Sequence, residues 1–280
     1  MVYNYRYVHF FLYRYWADFD TDYFAAGTYR YAFRGTIHGD GPRDGTLCVS
    51  KVFKRRYAKY FDKTFRPDHA ASMKAQHYAE TFTENVLPSL QNMISTSKIE
   101  FVIPLIAKID SLSHFKVLGL FPVNEDTTYL APTEYVAIEP FLHGKYEKFN
   151  SNSGYEDTTA TLMNAFSHWT WEASGYRYLV CDIQGVENGS KYTLTDPCIH
   201  SVGRKYGGTD LGVIGMEKFF EGHDCNVMCE TLDLENPMRD VEPCDVRSRN
   251  TTYNFQLDDR ELYRARQGRS RYIVPEDPIF

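Results

Sequence analysis

Residues 219–234, FFEGHDCNVMCETLDL, bring His223, Cys225 and Cys229 within seven positions, in a 280-residue chain with only six cysteines. On a helix, Cys225 and Cys229 are four apart and share one face, about one turn from each other. Thiolate and imidazole together suit Zn²⁺, which a structural site holds with four ligands. Three are local, so the fourth must come from a distant segment and tie it to this one. His168, in FSHWTWE, stands just ahead of the most apolar strand candidate and is the natural choice. The competing reading is an ordinary buried patch: free cysteines pack well in cores, and H-x-C-x₃-C is not a standard finger or ribbon spacing.

The bulk properties narrow the rest. Hydrophobic residues make up 43% of the chain and charged residues 24%, enough for one large domain or two lobes with a substantial core. The net charge of −6 argues against nucleic acid as the main partner, since backbone binding needs a basic face. The basic run KVFKRRYAKYF (51–61) is only local. No apolar run approaches a transmembrane span, and the aromatic start lacks the pattern of a signal peptide. Six scattered cysteines do not make a secreted disulfide framework, so a cytoplasmic, reducing setting is expected.

Periodicity predicts strands over 46–53, 100–109, 114–123, 134–142, 176–186 and 191–197, and helices over 71–90, 159–174 and 211–234. The polar stretch HGKYEKFNSNSGYEDTT (143–159) reads as a link between lobes. The expected division is an N-terminal flank 1–19, a first lobe 20–142, a second lobe 143–235 and a charged tail 236–280 without a strong element.

CDIQGVENGSKYTLTDP (181–197) offers a second candidate centre. A two-residue period puts Asp182 and Gln184 on one side of a strand, and Asp196 follows on the next. Carboxylate and amide oxygens suit Mg²⁺, which completes its shell with waters and phosphates. They could equally be turn-forming carboxylates. Lys51 is a lone charge in the apolar strand CVSKVF, either facing solvent or reaching for phosphate. GGTDLG (207–212) precedes a helix but matches neither the dinucleotide fingerprint nor the P-loop. The H-R-D and D-F-G elements of conventional protein kinases are absent.

Taken in order, FAAGTYRYAFRGT (24–36), CVSKVF (48–53), YVAIEPFLHGKYEKFNSNSG (135–154), AFSHWTWEASGYRYLVCDIQGV (165–186), LTDPCIHS (194–201) and GGTDLGVIGMEKFFEGHDCNVMCETLDL (207–234) resemble the alpha-kinase family of atypical serine/threonine protein kinases, in the elongation factor 2 kinase and myosin heavy chain kinase branch. The resemblance implies an α+β, two-lobed protein-kinase-like fold with an ATP cleft and a zinc-containing C-lobe. It implies zinc ligation by His168, His223, Cys225 and Cys229. It gives Lys51 and Arg30 to the ATP phosphates and Glu139 to adenine. Asp182 becomes the catalytic aspartate, Asn150 its supporting residue, and Gln184 and Asp196 the Mg²⁺ ligands. Gly207, Gly208, Thr209, Asp210 and Gly212 form the substrate-positioning loop.

The implied reaction is Mg-ATP-dependent phosphorylation of Ser or Thr in a protein. The alternative is a zinc-stabilised pseudokinase-like binding module, against which the intact set of Lys51, Asp182, Gln184 and Asp196 argues. A zinc hydrolase would need an open coordination position, which four protein ligands close. Asp210 stands where the family often has Asn, adding a negative charge to the loop. No calmodulin-binding segment or WD-repeat domain is recognisable, so a regulator is not specified.

Overall fold

The computed structural model describes residues 4–6, 9–10, 13–20, 22–58, 60–111 and 134–238. They divide into two compact units, one drawn from 1–73 and 102–143, the other from 74–101 and 144–280. The expected strand 114–123 and nearly all of the tail, from 239 on, lie outside the described residues.

The first unit is an antiparallel sheet. Its strands are β1 (Asn4–Arg6), β2 (His9–Phe10), β3 (Tyr13–Phe19), β4 (Ala25–Ala26), β5 (Arg30–Gly39), β6 (Leu47–Phe53), β8 (Leu105–Ser111) and β9 (Tyr135–Pro140). The path runs β1-β8-β9-β6-β5-β3-β2, with β4 added to β5. Asn4–Arg6, His9–Phe10 and Tyr13–Phe19, expected as flank, are thus sheet strands. One face buries Phe19, Phe33, Ile37, Val52, Val136 and Ile138. The other packs Phe53 and Ala137 against Phe65, just ahead of α2 (Arg66–Asn85). Both faces of β9 are covered, which is why YVAIEP reads as a continuous apolar run. Gly35 is required by close approach: a Cβ there would lie 1.8 Å from the Asp18 carbonyl oxygen on β3. A short α1 (Arg55–Ala58) follows β6.

The second unit centres on α4 (Thr161–Ala173), which is buried on nearly every side, as a helix hydrophobic all round must be. From α2, Tyr78 and Phe82 meet Trp169 edge-on, at ring centroids 6.1 and 5.1 Å. A four-stranded sheet runs β10-β12-β13-β7, from β10 (Tyr146–Lys148), β12 (Gln184–Asn188), β13 (Lys191–Thr195) and β7 (Lys98–Phe101). The β13–β7 pairing is parallel. A separate pair joins β11 (Tyr178–Cys181) to β14 (Cys198–Ser201). Helices α5 (Val213–Gly222) and α6 (Val227–Thr231) complete the unit, with the short α3 (Leu87–Leu90) after α2.

Several expected elements divide. The helix expected over 71–90 starts at Arg66 and ends at Asn85; Pro88 sits inside α3, where an early-turn proline costs no hydrogen bond. The strand expected over 100–109 is two strands in different sheets, β7 and β8, separated around Pro104. The strand expected over 176–186 breaks at Asp182, whose φ of 56° ends β11 before β12 begins. Asp182 and Gln184 therefore do not alternate along one strand. Asp196, at φ 51°, likewise separates β13 from β14, a strand the sequence reading missed. The helix expected over 211–234 is interrupted between His223 and Asn226.

Candidate functional sites in the two units

In the first unit Lys51 and Glu139 find each other. Register sets Lys51 opposite Ala137 and Val49 opposite Glu139, so the two side chains stand diagonally on one face. The Lys51 ammonium donates to the Glu139 carboxylate at 2.6 Å, and both residues are buried. The solvent-facing alternative for Lys51 is thereby excluded. Arg30, paired with Phe53 in register, lies over the Phe53 and Phe65 rings and is bridged to Asp68.

In the second unit, Asp182 occupies the left-handed turn between β11 and β12. Asn150 fixes that turn from inside. Its side-chain Oδ1 accepts the Ile183 N–H at 3.0 Å, and its side-chain amide N–H donates to the Ser167 hydroxyl at 3.0 Å. The Phe149 N–H donates to the Ile183 carbonyl at 2.8 Å. Asn150 is fully buried, so it positions the aspartate's backbone from below. Lys148, two residues earlier on β10, forms an ion pair with Asp182 at 2.7 Å. Sequence reasoning missed it, although the KFN spacing held the signal: β10 pairs with β12, which puts Lys148 opposite Gln184. The β12–β13 hairpin, closed at Gly189 and Ser190, sets Gln184 opposite Thr195, next to Asp196. The ENGSKYT segment is therefore an ordinary tight hairpin. A Cβ on Gly185 would lie 2.2 Å from the Thr193 carbonyl oxygen, so glycine is what lets the strands close.

The GGTDLG loop is organised by Asp210. Its carboxylate accepts from the backbone N–H groups of Ser201 (2.9 Å), Tyr206 (3.1 Å) and Gly212 (2.8 Å) and from the Ser201 hydroxyl. Asp210 is only 4% exposed. The added charge is thus neutralised inwardly by donors and is not displayed along the loop.

His168, His223, Cys225 and Cys229 converge so that one donor atom from each lies within 4.8 Å of the others. His168 Nδ1 is 3.2 Å from His223 Nε2 and 3.8 Å from Cys225 Sγ; Cys229 Sγ is 3.5 Å from His223 Nε2. The face-sharing helix expected for the two cysteines is absent. Cys225 precedes Asn226, which caps α6 through Met228 N–H at 2.9 Å and ties the cap to Thr161 on α4. The helix break is what turns Cys225 back towards Cys229. Each imidazole has its second nitrogen engaged: His168 Nε2 meets the Glu235 carbonyl at 3.3 Å, and His223 Nδ1 meets Glu156 at 3.0 Å. Such outer partners fix the tautomers a metal requires. A hydrogen bond from Cys229 and the two imidazoles hold the Cys225 thiol well below its ordinary range, against its burial. Two histidines and two cysteines with converging donor atoms match the donor set of a closed tetrahedral zinc site.

The alpha-kinase family model matches residues 25–229. The chain belongs to the alpha-kinase family. Against curated proteins, this alpha-kinase is 52% identical over 101 residues to eukaryotic elongation factor 2 kinase of Caenorhabditis elegans, covering 35% of the chain and 13% of that protein. It is 30% identical over 226 residues to myosin heavy chain kinase B of Dictyostelium discoideum, covering 79% of the chain and 26% of that protein. These relatives are thus far longer than the part the alpha-kinase chain spans. Among solved structures, the alpha-kinase domain of myosin heavy chain kinase A in complex with AMP superposes with a TM-score of 0.62 at 25% identity, covering 79% of this chain and 91% of that one. The mixed α+β architecture is that of the alpha-kinases. Among the described residues, no helix is long and apolar enough to cross a membrane.

Proposed function

We propose that this chain transfers the γ-phosphate of ATP to a serine or threonine hydroxyl of a protein. The observation that carries the reading is the clamped turn: Asp182 held by Asn150 at a break between strands, with Gln184 and Asp196 on the adjoining hairpin. A protein that only bound partners would have no need of a carboxylate fixed in this way beside two further oxygen ligands. Magnesium, held by Gln184 and Asp196, would supply charge neutralisation at the phosphates. Lys51 and Arg30 would meet phosphate oxygens, and Glu139 would meet adenine while holding Lys51 in place.

Asp182 acts as base or positioning carboxylate for the acceptor hydroxyl, and its ion pair with Lys148 helps orient that carboxylate. A related structure is described as carrying a phosphorylated aspartate in the alpha-kinase domain of myosin-II heavy chain kinase A. On a two-step route Asp182 would itself accept phosphate before passing it on. The loop 207–212 would present the substrate chain. The four-ligand cluster would hold Zn²⁺ as a structural ion within the second unit. The free thiols of all five described cysteines accord with a cytoplasmic setting.

The test is phosphate transfer from labelled ATP to a basic protein containing Ser and Thr, followed by phosphoamino acid analysis. Label on phosphoserine or phosphothreonine, lost in Asp182→Asn, is expected. Bound ATP without any transfer would overturn the reading in favour of a binding module.

A further inference from the structure

Among the described residues a second cluster has the makings of a metal centre. Cys181 closes β11 and Cys198 opens β14, and the two face each other directly in the antiparallel register. His200 follows on β14. One donor atom from each of the three lies within 4.8 Å of the others, and all three residues are buried. Cys198 Sγ is 3.9 Å from His200 Nδ1. At bond lengths of about 2.3 Å to sulfur and 2.0 Å to nitrogen, donors around one ion sit roughly this far apart.

The imidazole is already set for ligation. Its Nε2–H donates to the Asn152 carbonyl at 3.1 Å, which leaves Nδ1 as the lone-pair nitrogen on the cysteine side. Gly215 packs flush against the ring; a Cβ there would lie 2.4 Å from it. The ring is thus fixed in tautomer and in orientation, as a metal ligand's must be. Nδ1 at present accepts the Leu211 N–H at 3.2 Å, and Cys198 donates to the Thr209 carbonyl at 3.1 Å. Both are single hydrogen bonds of modest net strength. Metal ligation by thiolates would displace them readily.

We propose that Cys181, Cys198 and His200 form a second metal site, taking a thiophilic d¹⁰ cation such as Zn²⁺ or Cd²⁺. Two soft sulfurs and one imidazole, without a carboxylate among them, select against Mg²⁺ and Ca²⁺. On binding, the two thiol protons pass to solvent and the cation replaces them. The site lies apart from the His168–Cys229 cluster and shares no ligand with it. Cys181 adjoins Asp182, and Cys198 comes two residues after Asp196, so a bound ion would cross-link the two chain segments that carry these carboxylates.

The experiment uses the full chain in a Cys244→Ser background, dialysed against Cd²⁺ and freed of excess metal. Bound zinc plus cadmium is counted, and the cadmium resonances are read by NMR. Two equivalents and two distinct resonances are expected, falling to one of each in Cys198→Ala and in His200→Gln. One equivalent and one resonance in the unsubstituted cluster would overturn the proposal, whether or not the variants fold. Two equivalents that survive in a folded Cys198→Ala protein would overturn it as well. Neither readout depends on phosphate transfer.

Discussion

At the residue scale the buried Lys51–Glu139 pair changes what a lysine substitution means. A lysine on an open strand face could be replaced by alanine at little structural cost. Here Lys51→Ala would leave the Glu139 carboxylate buried without its cation, and breaking a buried pair from one side costs about 3–5 kcal/mol. Lost activity in that variant would therefore be confounded with lost stability. The expected outcome is a lowered denaturation midpoint for Lys51→Ala, largely restored in the double variant Lys51→Met/Glu139→Gln, with phosphate transfer restored in neither. Equal stability of the single variant and the parent chain would show that the pair contributes little. Asp182→Asn poses the opposite case: shape kept and charge removed. Turnover should fall by roughly 10²-fold or more, with ATP affinity and melting temperature nearly unchanged, measured by single-turnover kinetics beside nucleotide binding. An Asn variant with parental turnover would refute the assigned role. The types and positions of these residues could be read from the sequence. Their partners could not, because the Lys51–Glu139 contact spans 88 residues and depends on strand register.

At the element scale the second unit relies on interruptions. Periodicity recovered where apolar segments lie, yet it ran β11 into β12 and α5 into α6. In each case the break falls at candidate site residues, Asp182 in one and His223 with Cys225 in the other. Positive φ at Asp182 and Asp196 is adopted by non-glycine residues, a conformation that costs of order 1 kcal/mol or more and persists only where the surroundings enforce it. Asn150 and the β12–β13 hairpin are those surroundings, and no local pattern announces them. The candidate metal ligands His223, Cys225 and Cys229 are legible as residue types in close spacing, although the helix that was to align them is broken at His223. Because α4, α6 and the segment carrying His223 all meet at this cluster, its loss should be felt by the whole unit. Cys229→Ala is expected to abolish cooperative unfolding of the second unit in near-ultraviolet circular dichroism, in step with loss of about one zinc by elemental analysis. A zinc-free protein with full cooperativity would contradict a structural ion there.

At the scale of the whole molecule, the chain crosses between the two units more than once, since 74–101 belongs with 144–238 and 102–143 does not. A single division near residue 143 is what a polar stretch suggests to a reader of sequence. Contacts divide the chain differently, because the Tyr78–Phe82 ridge and β7 find their partners beyond that point. A fragment beginning at 144 should thus fail to fold, for want of both the ridge that covers Trp169 and the fourth strand of its sheet. Its thermal melt should be non-cooperative, and adding a 74–101 peptide should restore a transition; a cooperative melt for the fragment alone would argue against this dependence. The parallel pairing of β7 with β13 has a further consequence on the ribosome. Ser97 and Ser190, whose contact opens that pairing, are 93 residues apart. At about 5–20 residues per second of synthesis, β7 emerges roughly 5–20 seconds before its partner exists. Throughout that interval it is a bare strand edge, a template for pairing with any neighbouring nascent chain. Lys98 and Glu100, which alternate with the inward Ile99 and Phe101, put charges of opposite sign on its outer face and make such mispairing costly until the sheet can close.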